Sequence, residues 1–230
     1  MDLVLDGLGE ALRLIATADA HLLHAVSVSI TCTLTAVVAA AVIAIPYGAW
    51  LAFYRSRSPL QVTMLRVGMS VPTVVIGLVV YALLSRSGLL GGLDLLYTRT
   101  AIIVGEFLLA FPLLATLSHA VAVSLDRVVV ESALTLGASR WRALWRSLGE
   151  ERPALAAALL AAFGRCITEL GIAITVGGNL AHRTRTLPST IQLELSRGRF
   201  GEALAPGIVL LAIAIVATVA THWLSGERRR

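Results

Sequence analysis

The sequence contains no lysine, and acidic and basic residues together make up only 14% of its 230 residues. A soluble domain carries roughly a quarter charged residues, so this composition argues against a protein that lives wholly in water. The two cysteines, Cys32 and Cys166, lie in apolar runs, which excludes a disulfide-rich scaffold and favours small buried side chains. Disorder is excluded because 57% of the residues are hydrophobic. The composition therefore predicts a polytopic membrane protein.

Long apolar runs fix the expected number of membrane spans. A bilayer core about 30 Å thick requires about 20 apolar residues in a helix. Five segments of the chain meet this requirement: about Ala25–Leu51, Val67–Leu84, Thr100–Leu117, Ala154–Val176 and Ala203–Leu224. We therefore expect an all-α membrane protein with about five transmembrane helices.

The first twenty residues differ from these spans. Leu5, Leu8, Leu12 and Ile15 recur at helical spacing, which predicts an amphipathic helix on the membrane surface. The acidic start argues against a signal peptide, which begins with basic residues. The expected organisation is an N-terminal amphipathic segment over 1–20, one transmembrane domain over 21–226 and a basic tail over 227–230.

The arginines predict the orientation of the spans. With an odd number of spans the two termini lie on opposite sides of the membrane. A cytoplasmic C-terminus places 11 arginines inside, namely Arg55, Arg57, Arg66, Arg127, Arg140, Arg142, Arg146, Arg152 and Arg228 to Arg230. Six then lie outside: Arg86, Arg99, Arg183, Arg185, Arg197 and Arg199. The positive-inside rule therefore favours an outer N-terminus and an inner C-terminus, and topology explains the net charge of +5 better than a nucleic-acid partner does.

The polar stretch from Asp126 to Arg152 does not have the composition of an ordinary loop. Its residues 127–149 contain good helix formers, one interior glycine and no proline, and apolar residues recur at helical spacing. Two interpretations remain open from periodicity alone. The helix either rests on lipid headgroups, with arginines on phosphates and Trp141 and Trp145 in the interface, or it docks on a cytoplasmic partner.

The residues of this stretch resemble a known motif. Glu131-Ser132-Ala133, followed after three residues by Gly137-Ala138-Ser139, resembles the cytoplasmic coupling loop of ABC-importer permeases. The segments YALLSRSGLLGGLDLLYTR (81–99) and FGRCITELGIAITVGGNLAHRTRTLPST (163–190) are similar to the tungstate-type branch of the molybdate and tungstate permeases. The sequence departs from the family where Ser132 replaces the usual alanine and where the loop lacks its closing Leu-Pro.

The resemblance implies a type I ABC importer permease fold and a non-enzymatic transport subunit in the plasma membrane. The implied substrate is a tetrahedral oxyanion, tungstate first, received from an extracytoplasmic binding protein. The implied partners are a second copy of the chain and cytoplasmic ATPase subunits that hold ATP and Mg²⁺, with no cofactor or metal in this chain. The residues implied to dock on the ATPase are Glu131, Ser132, Ala133, Gly137, Ala138 and Ser139.

Charged and glycine-rich positions within or beside the spans are the candidates for the pathway or its gate. They are Glu106, Arg165, Glu169, Gly177, Gly178, Asn179, Thr184 and Arg185. Arg165 and Glu169 are four residues apart, so they can pair on one helix; Glu106 is an alternative partner for Arg165. Beyond Gly177, glycines and exposed backbone amides beside arginines are the ingredients of an oxyanion site, although an ordinary outer loop or a docking rim for the binding protein fits as well.

Three other functions remain to be weighed against this one. An intramembrane enzyme is disfavoured because no nucleophile or metalloprotease motif is present. An ion-driven secondary transporter usually needs more spans and an internal repeat. The same permease carrying molybdate or sulfate fits the sequence as it stands.

Overall fold

The computed structural model describes residues 2–54, 59–125, 132 and 134–226. Within these residues the secondary structure is helical. The helices are α1 (Asp2–Ala16), α2 (Ala20–Tyr54), α3 (Pro59–Ser70), α4 (Thr73–Leu84), α5 (Arg99–Val123), α6 (Arg140–Glu150), α7 (Arg152–Ile167), α8 (Gly171–Gly177), α9 (Leu187–Ser196) and α10 (Phe200–Gly226). A single 3₁₀ turn at Gly91–Leu93 lies between α4 and α5. The expectation of an all-α protein is confirmed.

Three helices, α2, α5 and α10, are long and apolar enough to cross a membrane unbroken. Two further spans are each made of two helices: α3 and α4 meet at 94°, and α7 and α8 meet at 60°. The described residues thus give three spans, or five when each bent pair counts as one. The expected second and fourth spans are therefore present as bent pairs, each with a sharp break between its two helices.

Proline explains the first break. Pro72 precedes α4 with φ −58° and ψ 132°, and it lacks the N–H that would continue the helix. Proline also disfavours a helical conformation at the residue before it. Pro46, Pro112 and Pro206 lie inside α2, α5 and α10 without ending those helices.

The centre of the bundle is the contact between α2 and α5. Ala36, Ala40, Ala44 and Gly48 recur every four residues on α2 and are buried. A Cβ at Gly48 would lie 2.3 Å from the carbonyl oxygen of Ala115 on α5, so this glycine lets the two backbones touch. Small residues at a helix interface are the usual means of close packing in a membrane.

The N-terminal helix α1 packs against the start of α10. A Cβ at Gly7 would lie 3.1 Å from the Leu204 side chain of α10, and Ala11 is fully buried. Leu5 and Leu12 are 60% and 61% exposed. The helix therefore contacts the protein through Gly7, Ala11 and the partly buried Leu14 and Ile15 and leaves Leu5 and Leu12 exposed. Its location at the membrane surface stays a prediction.

Candidate coupling surface and translocation elements

The predicted coupling residues lie only partly within the described structure. Glu131 and Ala133 fall outside the described residues. Ser132, Gly137, Ala138 and Ser139 are described and lie between α5 and α6. Their role in docking an ATPase stays a prediction.

A short helical turn occupies this segment. The N–H of Leu136 donates to the carbonyl oxygen of Ser132 at 3.1 Å, and the N–H of Gly137 donates to that of Leu134 at 3.0 Å. Gly137 then adopts φ +86°, the left-handed conformation in which glycine commonly ends a helix. The Leu136 side chain is 88% exposed, so the turn presents an apolar side chain away from the protein.

Helix α6 follows at once and has two unlike faces. The Ser139 hydroxyl caps it by accepting a hydrogen bond from the N–H of Arg142 at 3.3 Å. Four residues of one face are buried: Ala143, Leu144, Ser147 and Leu148. Leu144 and Leu148 join the ends of α2 and α5 through Ala49 and Ala122. The opposite face carries Trp141 and Trp145, with ring centroids 5.4 Å apart.

Arg165 and Glu169 form the expected ion pair but not on one helix. Arg165 Nη1 lies 3.0 Å from Glu169 Oε2, whereas α7 already ends at Ile167. The other carboxylate oxygen of Glu169 accepts a hydrogen bond from the N–H of Gly171 at 2.8 Å. Glu169 therefore bridges the break between α7 and α8.

The burial of the pair is uneven. The Glu169 side chain is 6% exposed, whereas that of Arg165 is 48% exposed. Arg165 lines a groove of about 500 Å³ between α7 and α10, together with Thr218 and His222. The arginine thus has one partner within the protein and one open side.

Glu106 is buried in the middle of α5, with 3% of its surface exposed. Its Oε2 has no hydrogen-bond partner in the structure, and the described ion pairs do not include Glu106, so the alternative pairing with Arg165 is absent. Thr33 of α2 lies beside its carboxyl group, and the Cys166 thiol lies 3.9 Å from its backbone oxygen. An uncompensated charge at this depth is costly. Glu106 is thus a buried acidic side chain at the place where α2, α5 and α7 meet.

The loop from Gly178 to Thr186 is folded tightly on itself. Gly178, Asn179 and His182 have φ of +67°, +49° and +57°, which places three residues in the left-handed region. The N–H groups of Arg183 and Thr184 both donate to the carbonyl oxygen of Leu180, at 3.2 and 3.0 Å. The backbone amides of Arg183 and Thr184 are therefore occupied within the loop, whereas exposed amides were one ingredient of the oxyanion site considered from the sequence.

The polar side chains of the loop are bound in the same way. The Thr184 hydroxyl is fully buried; it donates to Gly177 O at 2.6 Å and accepts from the N–H of Leu180 at 3.0 Å. Arg185 Nε donates to Asn179 Oδ1 at 3.2 Å. Asn179 also donates from Nδ2 to the backbone oxygen of Ser189, at 3.3 Å. These residues bind the loop to the first turn of α9; a pathway role for them stays a prediction.

The two segments similar to the tungstate-type permeases, 81–99 and 163–190, meet around this loop. The N–H of Tyr97 donates to Val176 O at 2.9 Å, and Arg99 Nε donates to Arg183 O at 2.9 Å. A Cβ at Gly178 would lie 2.6 Å from the Tyr97 ring. Tyr97 bonds to the Tyr81 hydroxyl, which raises the pKa of Tyr97. Residues far apart in the sequence thus build one end of the bundle together.

Sequence reasoning missed one cluster here. The five histidines are scattered along the sequence, yet the His182 ring lies 5.0 Å from that of His21 and 5.7 Å from that of His24. The spacing of His21 and His24 on one helix face was the available signal; the position of His182 depends on the fold. In the part of the chain that is described, no group of three His, Cys, Asp or Glu side chains is arranged to hold a metal ion.

Comparison with known proteins identifies the family. Residues 44–230 match the family described as binding-protein-dependent transport system inner membrane component. The tungstate uptake system permease protein TupB of Campylobacter jejuni is 32% identical over 225 residues, covering 97% of this chain and 94% of that protein. TupB of Peptoclostridium acidaminophilum is 32% identical over 228 residues, covering 99% of this chain and all of that protein.

A more distant relative and a solved structure also match. The molybdenum transport permease ModB of Escherichia coli K12 is 25% identical over 201 residues, covering 81% of this chain and 87% of ModB. In the crystal structure of a bacterial alginate ABC transporter in complex with its alginate pentasaccharide-bound periplasmic protein, one chain has the same fold. The TM-score is 0.69 at 20% identity, with 96% of this chain and 86% of that one covered.

These matches and the apolar helices make the protein a multi-pass membrane protein and a transport subunit with the ABC-transporter permease fold. The resemblance to the tungstate-type permeases, first read from the motifs, is confirmed along nearly the whole chain. The chain therefore belongs to the family of binding-protein-dependent transport system inner membrane components, as a permease of the tungstate type.

Proposed function

We propose that this chain is the transmembrane subunit of an ATP-driven importer that carries tungstate. The observation that carries the proposal is the similarity to two tungstate uptake permeases at 32% identity over almost the full length of all three chains. The importer receives the oxyanion from an extracytoplasmic binding protein and passes it through the membrane by alternating access.

ATP hydrolysis resides on a separate subunit. The sequence has no lysine, so it has no phosphate-binding motif of the type that ends in Gly-Lys-Ser or Gly-Lys-Thr. ATP and Mg²⁺ are therefore held by cytoplasmic ATPase subunits, and this chain binds neither. Purified permease without these subunits is expected to hydrolyse no ATP.

We call the short helical turn that ends at Gly137 the coupling turn, and it receives the movement of the ATPase subunits. Its exposed Leu136 and its glycine-terminated end give a short helix that a groove on an ATPase can hold. The segment continues directly into α6, whose buried face packs on the ends of α2 and α5. Movement of the turn is therefore transmitted through α6 to α2 and α5, the two helices at the centre of the bundle.

Two copies of the chain enclose the pathway in this proposal. The large exposed apolar surface of α4 and α10, which includes Leu78, Val79 and Val216, is available for a partner copy as well as for lipid. The broken spans give each copy a place to bend. Arg165 offers positive potential to a passing dianion, and Glu169 weakens that potential so that the anion is released, because conduction requires weak binding.

The N-terminus lies outside and the C-terminus inside in this arrangement, as the arginine distribution favours. The loop 178–186 and α9 then face the binding protein, and α6 faces the cytoplasm. Reporter fusions at the two termini test this orientation: a reporter that is active only in the cytoplasm must work at the C-terminus and fail at the N-terminus.

A permease for molybdate is the second candidate. The 25% identity to a molybdenum permease covers most of the chain, and the two oxyanions have nearly the same shape and charge. Discrimination between them then lies in the binding protein rather than in this chain.

Uptake by cells tests the proposal. A strain without its own tungstate and molybdate uptake is given this chain with its ATPase and binding protein, and accumulation is measured at nanomolar tungstate with molybdate and sulfate as competitors. Tungstate uptake that withstands both competitors and needs the ATPase supports the proposal. Uptake dominated by molybdate or sulfate overturns the substrate; no ATP-dependent uptake of any oxyanion overturns the importer.

A further inference from the structure

The exposed face of α6 is composed of two tryptophans and two arginines. Trp141 and Trp145 are 44% and 40% exposed, and Arg142 and Arg146 are exposed beside them. We call these four residues the Trp–Arg face. It is separate from the coupling turn, because Gly137 ends that turn and Ser139 begins α6.

The packing of α6 determines where the Trp–Arg face lies relative to the membrane. Leu144 and Leu148 contact Ala49 and Ala122, which lie in the last turn or two of the membrane-spanning parts of α2 and α5. Helix α6 therefore lies at the level where these two spans leave the membrane. It does not extend far beyond them, as a helix held wholly inside a partner protein would.

The other tryptophans mark the same level. The sequence contains four tryptophans; Trp50 is near the C-terminal end of α2, and Trp223 is near that of α10. These two helices run in the same direction, because Leu22 and Ala25 of α2 pack with Ala205 near the start of α10. All four tryptophans thus lie at one end of the bundle, which is the distribution of an aromatic belt at a membrane–water interface.

The charges identify the lipid. Guanidinium groups bind phosphate oxygens with two parallel hydrogen bonds, and basic residues beside a membrane attract anionic headgroups. We propose that the Trp–Arg face binds anionic phospholipid headgroups, with Arg142 and Arg146 on the phosphates and the indoles between the headgroups. The surface is continuous with the membrane-facing sides of the spans, and its charge is complementary to such lipids.

The consequence is a second anchor for the coupling turn. Helix α6 begins three residues after Gly137 and is capped by Ser139, so headgroups bound to its Trp–Arg face fix the position from which the turn projects. This inference rests on the membrane-spanning family and not on the substrate. Its failure therefore leaves the proposed tungstate transport untouched.

Quenching of tryptophan fluorescence by brominated lipids tests the proposal. The variant Trp50→Phe/Trp223→Phe leaves Trp141 and Trp145 as the only indoles of this chain, and the ATPase subunits and the nanodisc scaffold protein are used in tryptophan-free form. The full complex with its ATPase subunits, and the permease alone, are placed in nanodiscs with brominated phosphatidylglycerol or brominated phosphatidylcholine at equal mole fraction. We expect quenching in both preparations, and stronger quenching by the anionic lipid.

Charge variants supply the control. Each arginine near an anionic surface contributes about a five-fold enrichment of the lipid, so Arg142→Gln/Arg146→Gln is expected to remove the preference for phosphatidylglycerol while leaving quenching by either lipid. Arg86→Gln, an exposed arginine between α4 and α5, is expected to keep the preference. Native mass spectrometry of lipids retained by the chain with all four tryptophans gives the same comparison without the tryptophan substitutions.

Three results overturn the proposal. Quenching that disappears when the ATPase subunits bind assigns the Trp–Arg face to that protein. Equal quenching by the two lipids, matched by equal retention in the mass spectrum, removes the anionic specificity. No quenching by either lipid places both indoles away from the membrane.

Discussion

At the end of the bundle formed by loop 178–186 and α9, polar groups are bound to one another, whereas at the end formed by the coupling turn and α6 large apolar side chains face outward. Thr184 and Asn179 each bond to two neighbours within the loop region. Leu136 and Trp141, in contrast, are exposed at the other end. The first end is an interlocked structural element, and the second carries the surfaces that we propose for partners. Substitutions should therefore harm folding at the first end and coupling at the second.

The largest effect is expected at Gly178. Its φ of +67° is unfavourable for other residues, and a Cβ would lie 2.6 Å from the Tyr97 ring. Backbone strain costs about 1–3 kcal/mol and overpacking about as much again, so Gly178→Val should lower the thermal denaturation midpoint in detergent sharply and reduce the yield of folded protein. A yield and midpoint equal to wild type would contradict the interlocked arrangement.

The next effect is expected at Thr184. Thr184→Val keeps the shape of the side chain but leaves the oxygen of Gly177 and the N–H of Leu180 without this partner. A buried group without a hydrogen bond costs about 1–3 kcal/mol, so the denaturation midpoint should fall clearly. Thr218→Val is the matched control, because the Thr218 hydroxyl is exposed and bonds only within its own helix. Equal midpoints for the two variants would place Thr184 outside the structural network.

The ion pair at the α7–α8 break should give an intermediate effect. Arg165→Gln leaves the buried Glu169 carboxylate without its charged partner, which costs about 1–3 kcal/mol of stability. Because the Arg165 side chain is half-exposed in the wild type, solvent screens the pair and the loss lies toward the lower end. Glu169→Gln keeps an oxygen for the N–H of Gly171. The double variant should therefore be more stable than Arg165→Gln alone, as measured by thermal denaturation.

The transport assay separates this structural role from a pathway role. Recovery of both stability and uptake in the double variant indicates that the arginine serves mainly to hold the break. Recovery of stability with uptake still lost indicates that Arg165 acts on the passing anion.

The smallest effect on stability is expected at Gly137. A Cβ there meets nothing within 4 Å, so Gly137→Ala carries only the strain of φ +86°, about 1 kcal/mol. The fold should survive, while the turn before α6 changes direction and ATP hydrolysis becomes less tightly coupled to uptake. The ratio of ATP hydrolysed to oxyanion accumulated measures this. A larger fall in the denaturation midpoint than for Gly178→Val would reverse the comparison of the two ends.

The fold was predictable where one property of the sequence dominates. Length and apolarity alone located α2, α5 and α10, and helical spacing located α1 and α6. The break at Pro72 had a visible cause, because proline cannot continue the preceding helix. The break after Ile167 had none, since Thr168, Glu169 and Leu170 do not prevent a helix by themselves.

The candidate site likewise has some features that the sequence predicts and others that depend on contacts between spans. The pairing of Arg165 with Glu169 followed from their spacing, and the coupling motif followed from its residues. The second bond of Glu169 depends on the N–H of Gly171, and that glycine is placed where a Cβ would lie 3.0 Å from Val74 of α4. Such a contact between two broken spans leaves no pattern in either segment.

The sequence by itself determined that this chain lies in a membrane, how many times it can cross and which family it resembles, because these depend on local composition and short motifs. The tertiary structure alone decided that the fourth span bends at Glu169, that His182 meets His21, and that Arg99 binds the backbone oxygen of Arg183. Each of these depends on contacts between residues distant in sequence, where packing and hydrogen-bond satisfaction in the folded chain override the local preference for a continuous helix or an open loop.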